Sequence, residues 1–127
     1  MKIVSISEDK KIEKRIAITP EITKKYLALG FDVNLIKNYG EHLGFKDKEY
    51  SDQGAKILSD EKEIIKSGDI IVQLGLPSDD KLLYVRKNQT LVGVLNPYDN
   101  KEKLNNLIKK NINFFLKFLQ VTPLVFV

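Results

Sequence analysis

The 127 residues include no cysteine, no tryptophan, one methionine and one histidine, and only two of the 21 basic residues are arginine. Without cysteine there is no disulfide framework, no thiolate nucleophile and no zinc-finger spacing. A lone His42 rules out the paired-histidine metal motifs. The seven glycines never stand two apart, so the chain has no G-x-G-x-x-G finger to let its backbone approach a pyrophosphate. None is followed by lysine, which removes the P-loop as well. No apolar run approaches the roughly 20 residues that span a bilayer. The start, Met1-Lys-Ile-Val-Ser-Ile-Ser-Glu8, lacks the basic, apolar and cleavage regions of a secretory signal, so the expected location is cytoplasmic. The net charge of +4 is scattered along the chain, without a basic stripe or interleaved aromatics. That pattern argues against a nucleic-acid partner.

What is present reads as one globular domain. A chain of this length can bury a core, and 43% hydrophobic with 30% charged residues is ordinary for a folded domain. Lys2 to Ile6 is a short β-branched run. Thr19 is placed to cap a helix that opens on Pro20, where a missing N–H costs nothing. Ile22, Tyr26 and Leu29 share one face of it, and Gly30 supplies a left-handed stop. Phe31 to Ile36 alternates as a strand. Asp47 to Gln53 reads as a short helix closed by Gly54, and Ala55 to Leu58 as a small strand. Ser59 is expected to cap a helix over Asp60 to Lys66, with acids early and a base late. Ile70 to Leu74 is apolar on both faces apart from Gln73, as in a strand covered on both sides. Another helix begins at Ser78-Asp79-Asp80, followed by a buried strand over Leu91 to Leu95. Asn100 then caps a helix with Leu104, Leu107 and Ile108 on one face, and Ile112 to Leu116 is a last strand. This alternation predicts βαβ units: a three-layer α/β domain with a mostly parallel sheet and helices on both faces.

Few residues carry chemistry. Arg15 stands at a strand-to-helix junction in a chain that otherwise relies on lysine, and its planar fork suits a carboxylate or phosphate. The plain alternative is a surface pair with Glu13 or Glu21, which is worth little. His42 lies in a glycine-flanked loop with no carboxylate placed to orient it, and reads as a solvated loop residue. Glu8-Asp9 and Asp79-Asp80 read as a turn and a helix first turn rather than as acid–base pairs.

Two stretches go further: Arg15-Ile-Ala-Ile-Thr-Pro-Glu21, and Leu91-Val-Gly-Val-Leu-Asn-Pro-Tyr-Asp-Asn100. The segment Glu13–Glu21 resembles the N-E-x-R-V-A-x-T-P opening of the alanine dehydrogenase and nicotinamide nucleotide transhydrogenase group. Leu29-Gly-Phe-Asp-Val33, Gly44-Phe-Lys-Asp-Lys-Glu-Tyr50, Gly54-Ala-Lys-Ile57, Gly68-Asp-Ile-Ile-Val72 and Leu76-Pro77 follow in the same order. The resemblance covers residues 1 to about 116 and implies the first subdomain of a two-subdomain nucleotide-binding unit. Arg15 falls on the arginine that in alanine dehydrogenases binds the substrate carboxylate. The lysine those enzymes place two residues before the proline falls on Gly75, and their catalytic histidine falls on Asn96. Glycine cannot anchor a keto acid, and asparagine cannot relay a proton at neutral pH. The turn Leu95-Asn-Pro-Tyr-Asp-Asn100 is instead similar to that of transhydrogenase alpha subunits.

The resemblance therefore implies hydride transfer between NAD(H) and NADP(H), coupled to proton movement. It also implies membrane and NADP-binding partner subunits, a Rossmann subdomain, a homo-oligomeric complete enzyme and a peripheral place at the inner membrane. An alanine dehydrogenase-like fragment or a non-catalytic interaction module of the same fold are the alternatives. Arg15, Gln73 and Asn96 are the expected cleft residues, with Arg15 turned toward the other two. No catalytic, cofactor-binding or metal-binding residue is assigned. The group's loop P-R-x-[ST]-R-A-Q-S has no counterpart in Lys117-Phe-Leu-Gln-Val-Thr-Pro-Leu-Val-Phe-Val127. The expectation is thus a family-like domain over 1–116 and a divergent apolar tail over 117–127. On this reading the chain is an N-terminal fragment that is inactive and binds no cofactor alone, whether truncated, frame-altered or a natural short subunit.

Overall fold

The computed structural model describes residues 1–95 and 98–116. Six strands, β1 (Lys2–Ser5), β2 (Asp32–Ile36), β3 (Lys56–Leu58), β4 (Ile70–Val72), β5 (Thr90–Gly93) and β6 (Asn113–Leu116), form one sheet in the order β3-β2-β1-β4-β5-β6. Every described pairing is parallel, with Ile3 opposite both Val33 and Ile70, Ile71 opposite Leu91, and Leu91 opposite Phe114. The expected parallel α/β architecture is what is found. The strands are connected by α1 (Pro20–Ala28), α2 (Asp47–Asp52), α3 (Glu61–Ser67), α4 (Asp79–Leu82) and α5 (Lys101–Lys109).

Right-handed crossovers put α1 and α2 on one face and α3, α4 and α5 on the other. Ion pairs run along the second face, from Lys81 to Glu61 at 3.0 Å and from Lys103 to Asp79 at 3.4 Å. The core lies in the central strands. Val4, Leu35, Ile71 and Leu91 are buried there, in one apolar cluster with the helical residues Ile64, Leu82, Leu104 and Leu107.

Local chemistry sets the helix ends. The Thr19 hydroxyl accepts the Ile22 N–H at 3.2 Å with Pro20 in the first turn. Gly30 and Gly54, at φ 95° and 104°, take the left-handed conformation after α1 and α2. Three expectations need correction. Helix α3 is capped by Asp60, whose carboxylate accepts the Lys62 N–H, and not by Ser59; the two adjacent residues are comparable caps, and the helix starts after the second. Leu29 is 73% exposed and Ile108 is 56% exposed, since both fall at helix ends that have turned away from the sheet. Asn100 stands at the N-cap position of α5, but its side chain donates to the Leu95 carbonyl at 3.0 Å instead of closing the first turn, and so ties the β5 exit to the start of α5. The apolar tail lies outside the described residues. No helix among those described is long and apolar enough to cross a membrane.

Candidate functional site

Strand order reverses direction between β1 and β4, the two strands from which the chain departs to opposite sides of the sheet. Open α/β sheets bind ligands outside the carboxyl ends of such strands, where the connections part and leave a crevice. The residues that follow β1 and β4 therefore define the candidate site.

The connection from β1 to α1 is long, and its second half is rigidly held. Ile16, Ala17 and Ile18 are buried. The Ile18 N–H donates to the Tyr39 hydroxyl at 3.2 Å, and the Tyr50 hydroxyl donates to the Ile18 carbonyl at 2.9 Å. The two rings meet edge to face, with centroids 5.8 Å apart at 87°. Both hydroxyls are pushed well above the usual phenol range, chiefly by burial, so they act as neutral hydrogen-bonding groups. Arg15 is the residue immediately before this clamp.

Its guanidinium grips Glu13 with two parallel bonds, Nε to Oε2 at 3.0 Å and Nη2 to Oε1 at 2.7 Å. The Arg15 side chain is 54% exposed. The bidentate pair holds the Glu13 carboxyl below its ordinary range. The charge of Glu8 acts on Arg15 only weakly beside that of Glu13, so the described contacts of the fork are those of a surface pair with Glu13.

Glu8 is the residue that sequence reasoning missed. Its Oε2 accepts the Gln73 Nε2 at 2.9 Å and the Leu74 N–H at 2.8 Å, and its Oε1 accepts the Gly75 N–H at 3.0 Å. One carboxylate thus spans the crevice from the β1 exit to the β4 exit. Burial is the main effect on it and raises its pKa; the donated N–H bonds oppose that rise, and the charge of Glu13 adds to it. Gln73 is the other half of the bridge. Its Oε1 accepts the Ile6 N–H at 2.7 Å and lies 2.9 Å from the Ser5 hydroxyl, while its Nε2 also donates to the Ile6 carbonyl at 3.1 Å. Only its polarity in an otherwise apolar strand marked Gln73 in the sequence, and nothing local marked Glu8.

The exit of β5 completes the rim. Leu95 is buried with φ at 57°, a left-handed conformation that costs a branched side chain about 1–2 kcal/mol. It is held there by its N–H on the Leu74 carbonyl at 2.8 Å and by Asn100 on its own carbonyl. Gly93 lies against the Gln73 carbonyl so closely that a Cβ there would stand 1.8 Å from the oxygen. Asn96 lies outside the described residues. His42 is exposed, with Nε2 2.8 Å from the Lys14 carbonyl, and belongs to the loop rather than to the crevice. No cluster among the described residues has the ligands for a metal ion.

This geometry agrees with the family comparison, in which the model for the alanine dehydrogenase/PNT N-terminal domain matches residues 5–116. The chain belongs to that family. The family match takes in the sheet from the end of β1 to the end of β6. The first part of the NAD(P) transhydrogenase subunit alpha of Rickettsia prowazekii is 40% identical over 119 residues, 91% of this chain and 31% of the relative. Alanine dehydrogenase 1 of Staphylococcus aureus is 33% identical over 102 residues, 80% of this chain and 27% of the relative. The transhydrogenase structure from Sinorhizobium meliloti superimposes with a TM-score of 0.83 at 27% identity, over 94% of this chain and 36% of that one. The chain spans about a third of the length of the relatives it matches.

Proposed function

We propose that the chain is the N-terminal part of an NAD(P) transhydrogenase alpha subunit, and that it supplies one wall of the cleft in which such a subunit handles its nicotinamide nucleotide. The complete enzyme moves hydride between NAD(H) and NADP(H), coupled to proton movement, and assembles as a homo-oligomer with membrane and NADP-binding subunits at the inner membrane. The observation that carries this reading is the crevice between β1 and β4 that has no phosphate-binding glycine in the connection after β1. Residues 6–19 contain no glycine, and the strand-end donors of Leu74 and Gly75 are taken by Glu8. These residues do not fit a pyrophosphate, so dinucleotide contacts fall to other parts of the enzyme.

Arg15, Gln73 and Asn96 remain the proposed cleft residues. Arg15 stands with its fork on Glu13, and Gln73 joins the walls of the crevice. Gly75 and Asn96, in place of a lysine and a histidine, weigh against amino-acid dehydrogenation. The test is to purify the chain alone and together with the unmatched remainder of the Rickettsia relative. NADH fluorescence should show saturable binding only for the combination, and the combination should not oxidise alanine with NAD. Micromolar NADH binding by the chain alone, or alanine oxidation by the combination, would overturn this reading.

A further inference from the structure

Positive charge that is scattered along the chain is gathered in one place by the fold. Lys62 and Lys66 lie one turn apart on α3, and both ammonium groups reach the ring of Tyr84, at 5.3 and 5.8 Å from its centroid. Arg86 joins them from the connection between α4 and β5. Its Nε donates to the Lys66 carbonyl at 2.9 Å, and its Nη2 donates to the same oxygen. The backbone of Arg86 is fixed as well, because its N–H donates to the side chain of buried Gln89. Lys62, Lys66, Arg86 and the next residue, Lys87, are all exposed, and the Tyr84 ring is half-buried. Among the described residues no carboxylate pairs with Lys62, Lys66 or Arg86. Glu61, on the same helix, is taken by Lys81 at 3.0 Å. Like charges held together in this way repel, and the ring face offsets that only in part. An incoming anion relieves it.

We propose that this patch is a docking surface for an acidic segment of a partner protein. Exposed side chains on a helix face suit a macromolecule, whereas small ligands are held in concave sites. Tyrosine and arginine are the anchors that protein interfaces favour, and here both are held in place before any partner arrives. The cluster covers one ring and one helical turn, which is too compact for the basic stripe that tracks a nucleic acid. Leu83, exposed beside Tyr84 in the sequence, lines the groove between α4 and α5 instead, so it is not offered to lipid at this patch. Lys66 and Arg86 lie near the amino ends of β4 and β5, at the opposite end of the sheet from the crevice. The proposal therefore stands apart from the proposed function.

Backbone-amide NMR of the intact chain, with a hexaglutamate peptide as probe, tests it. Saturable shifts should centre on residues 62–66 and 84–87 and weaken as salt rises. Lys62→Glu with Lys66→Glu should weaken binding at least about tenfold, about 1.4 kcal/mol. Lys24→Glu with Lys25→Glu, on α1, changes the net charge by the same amount. It should leave the affinity within about threefold, since these exposed charges lie on the other face of the sheet and are screened from the patch. The amide spectra report whether each variant keeps its fold, and should the reversal disturb α3, Lys62→Gln with Lys66→Gln reads the same loss. Vesicles of phosphatidylserine and phosphatidylcholine, and a single-stranded oligonucleotide, serve as competing probes. Shifts that are absent or spread over the whole surface, an equal loss in the two double variants, or tighter binding of either competing probe at the patch would overturn the proposal.

Discussion

Two glutamines are buried at opposite ends of the sheet, and they are satisfied in different ways. Gln89, just before β5, donates through Nε2 to the carbonyls of Ile65 and Gly68, both at 2.7 Å, and accepts the Arg86 N–H. All three of these groups belong to the backbone. Gln73, just after β4, also binds backbone, but one of its donors goes to the carboxylate of Glu8. Buried polar groups need partners at either end. Only at the carboxyl end is one of the partners a charge that can change. The amino end of the sheet is a lock, and the carboxyl end is a lock with a titratable member in the place where this topology receives ligands.

The most severe way to break the carboxyl end is Gly93→Ala. The new Cβ would stand 1.8 Å from the Gln73 carbonyl oxygen, backbone against backbone, so β4 and β5 must separate. A loss of about 3 kcal/mol is expected, at the upper range for overpacking, measurable as a fall in the urea midpoint. Gln89→Leu attacks the other end and takes away the amide that donates to the Ile65 and Gly68 carbonyls. It should cost about 2 kcal/mol, and the cost should be the same at pH 4 and pH 7, because these hydrogen bonds involve no titrating group.

Acid and base sharpen the comparison further, since two carboxylates of the β1–α1 connection, Glu13 and Glu8, respond oppositely. The pKa of Glu13 is lowered by Arg15, so its contribution is present above 4.5 and disappears as pH falls through the folded-state value. The pKa of Glu8 is raised by burial, so its titration favours the fold below 4.5 and that advantage is lost as pH rises through the raised value. Relative to Glu13→Gln, the wild type should therefore lose stability toward acid. Relative to Glu8→Gln, it should lose stability toward neutrality, over a window that begins at 4.5. Chemical denaturation from acid to neutral pH on the three proteins reads both slopes. The smallest effect belongs to Arg15→Lys. It removes the fork, but the side chain is 54% exposed, so the loss of stability should stay under about 0.5 kcal/mol in the same assay.

Much of the fold was legible because its signals are local. Thr19 and Pro20 start α1, Gly30 and Gly54 end helices through a conformation that glycine favours, and the apolar run at Ile70 marks a strand covered on both faces. Each works over a few residues and needs no knowledge of the rest of the chain. The site was legible only in outline. The family stretches drew attention to Arg15 and the β5 exit, and one polar residue in an apolar strand drew it to Gln73. Glu8 and Asp9 looked like an ordinary turn, and the cap of α3 was misplaced by one residue because serine and aspartate are both good caps.

By itself, then, the sequence determined the alternation of strands and helices, where most of them stop, and the absence of a phosphate-binding finger. These follow from side-chain period, capping chemistry and glycine spacing, all short-range properties. The tertiary structure alone decided the strand order, the tyrosine clamp on Ile18 and the role of Glu8. Glu8 meets Gln73, Leu74 and Gly75 across 65 to 67 residues of chain. No local pattern encodes such a contact, because it exists only once parallel pairing has brought the ends of β1 and β4 side by side.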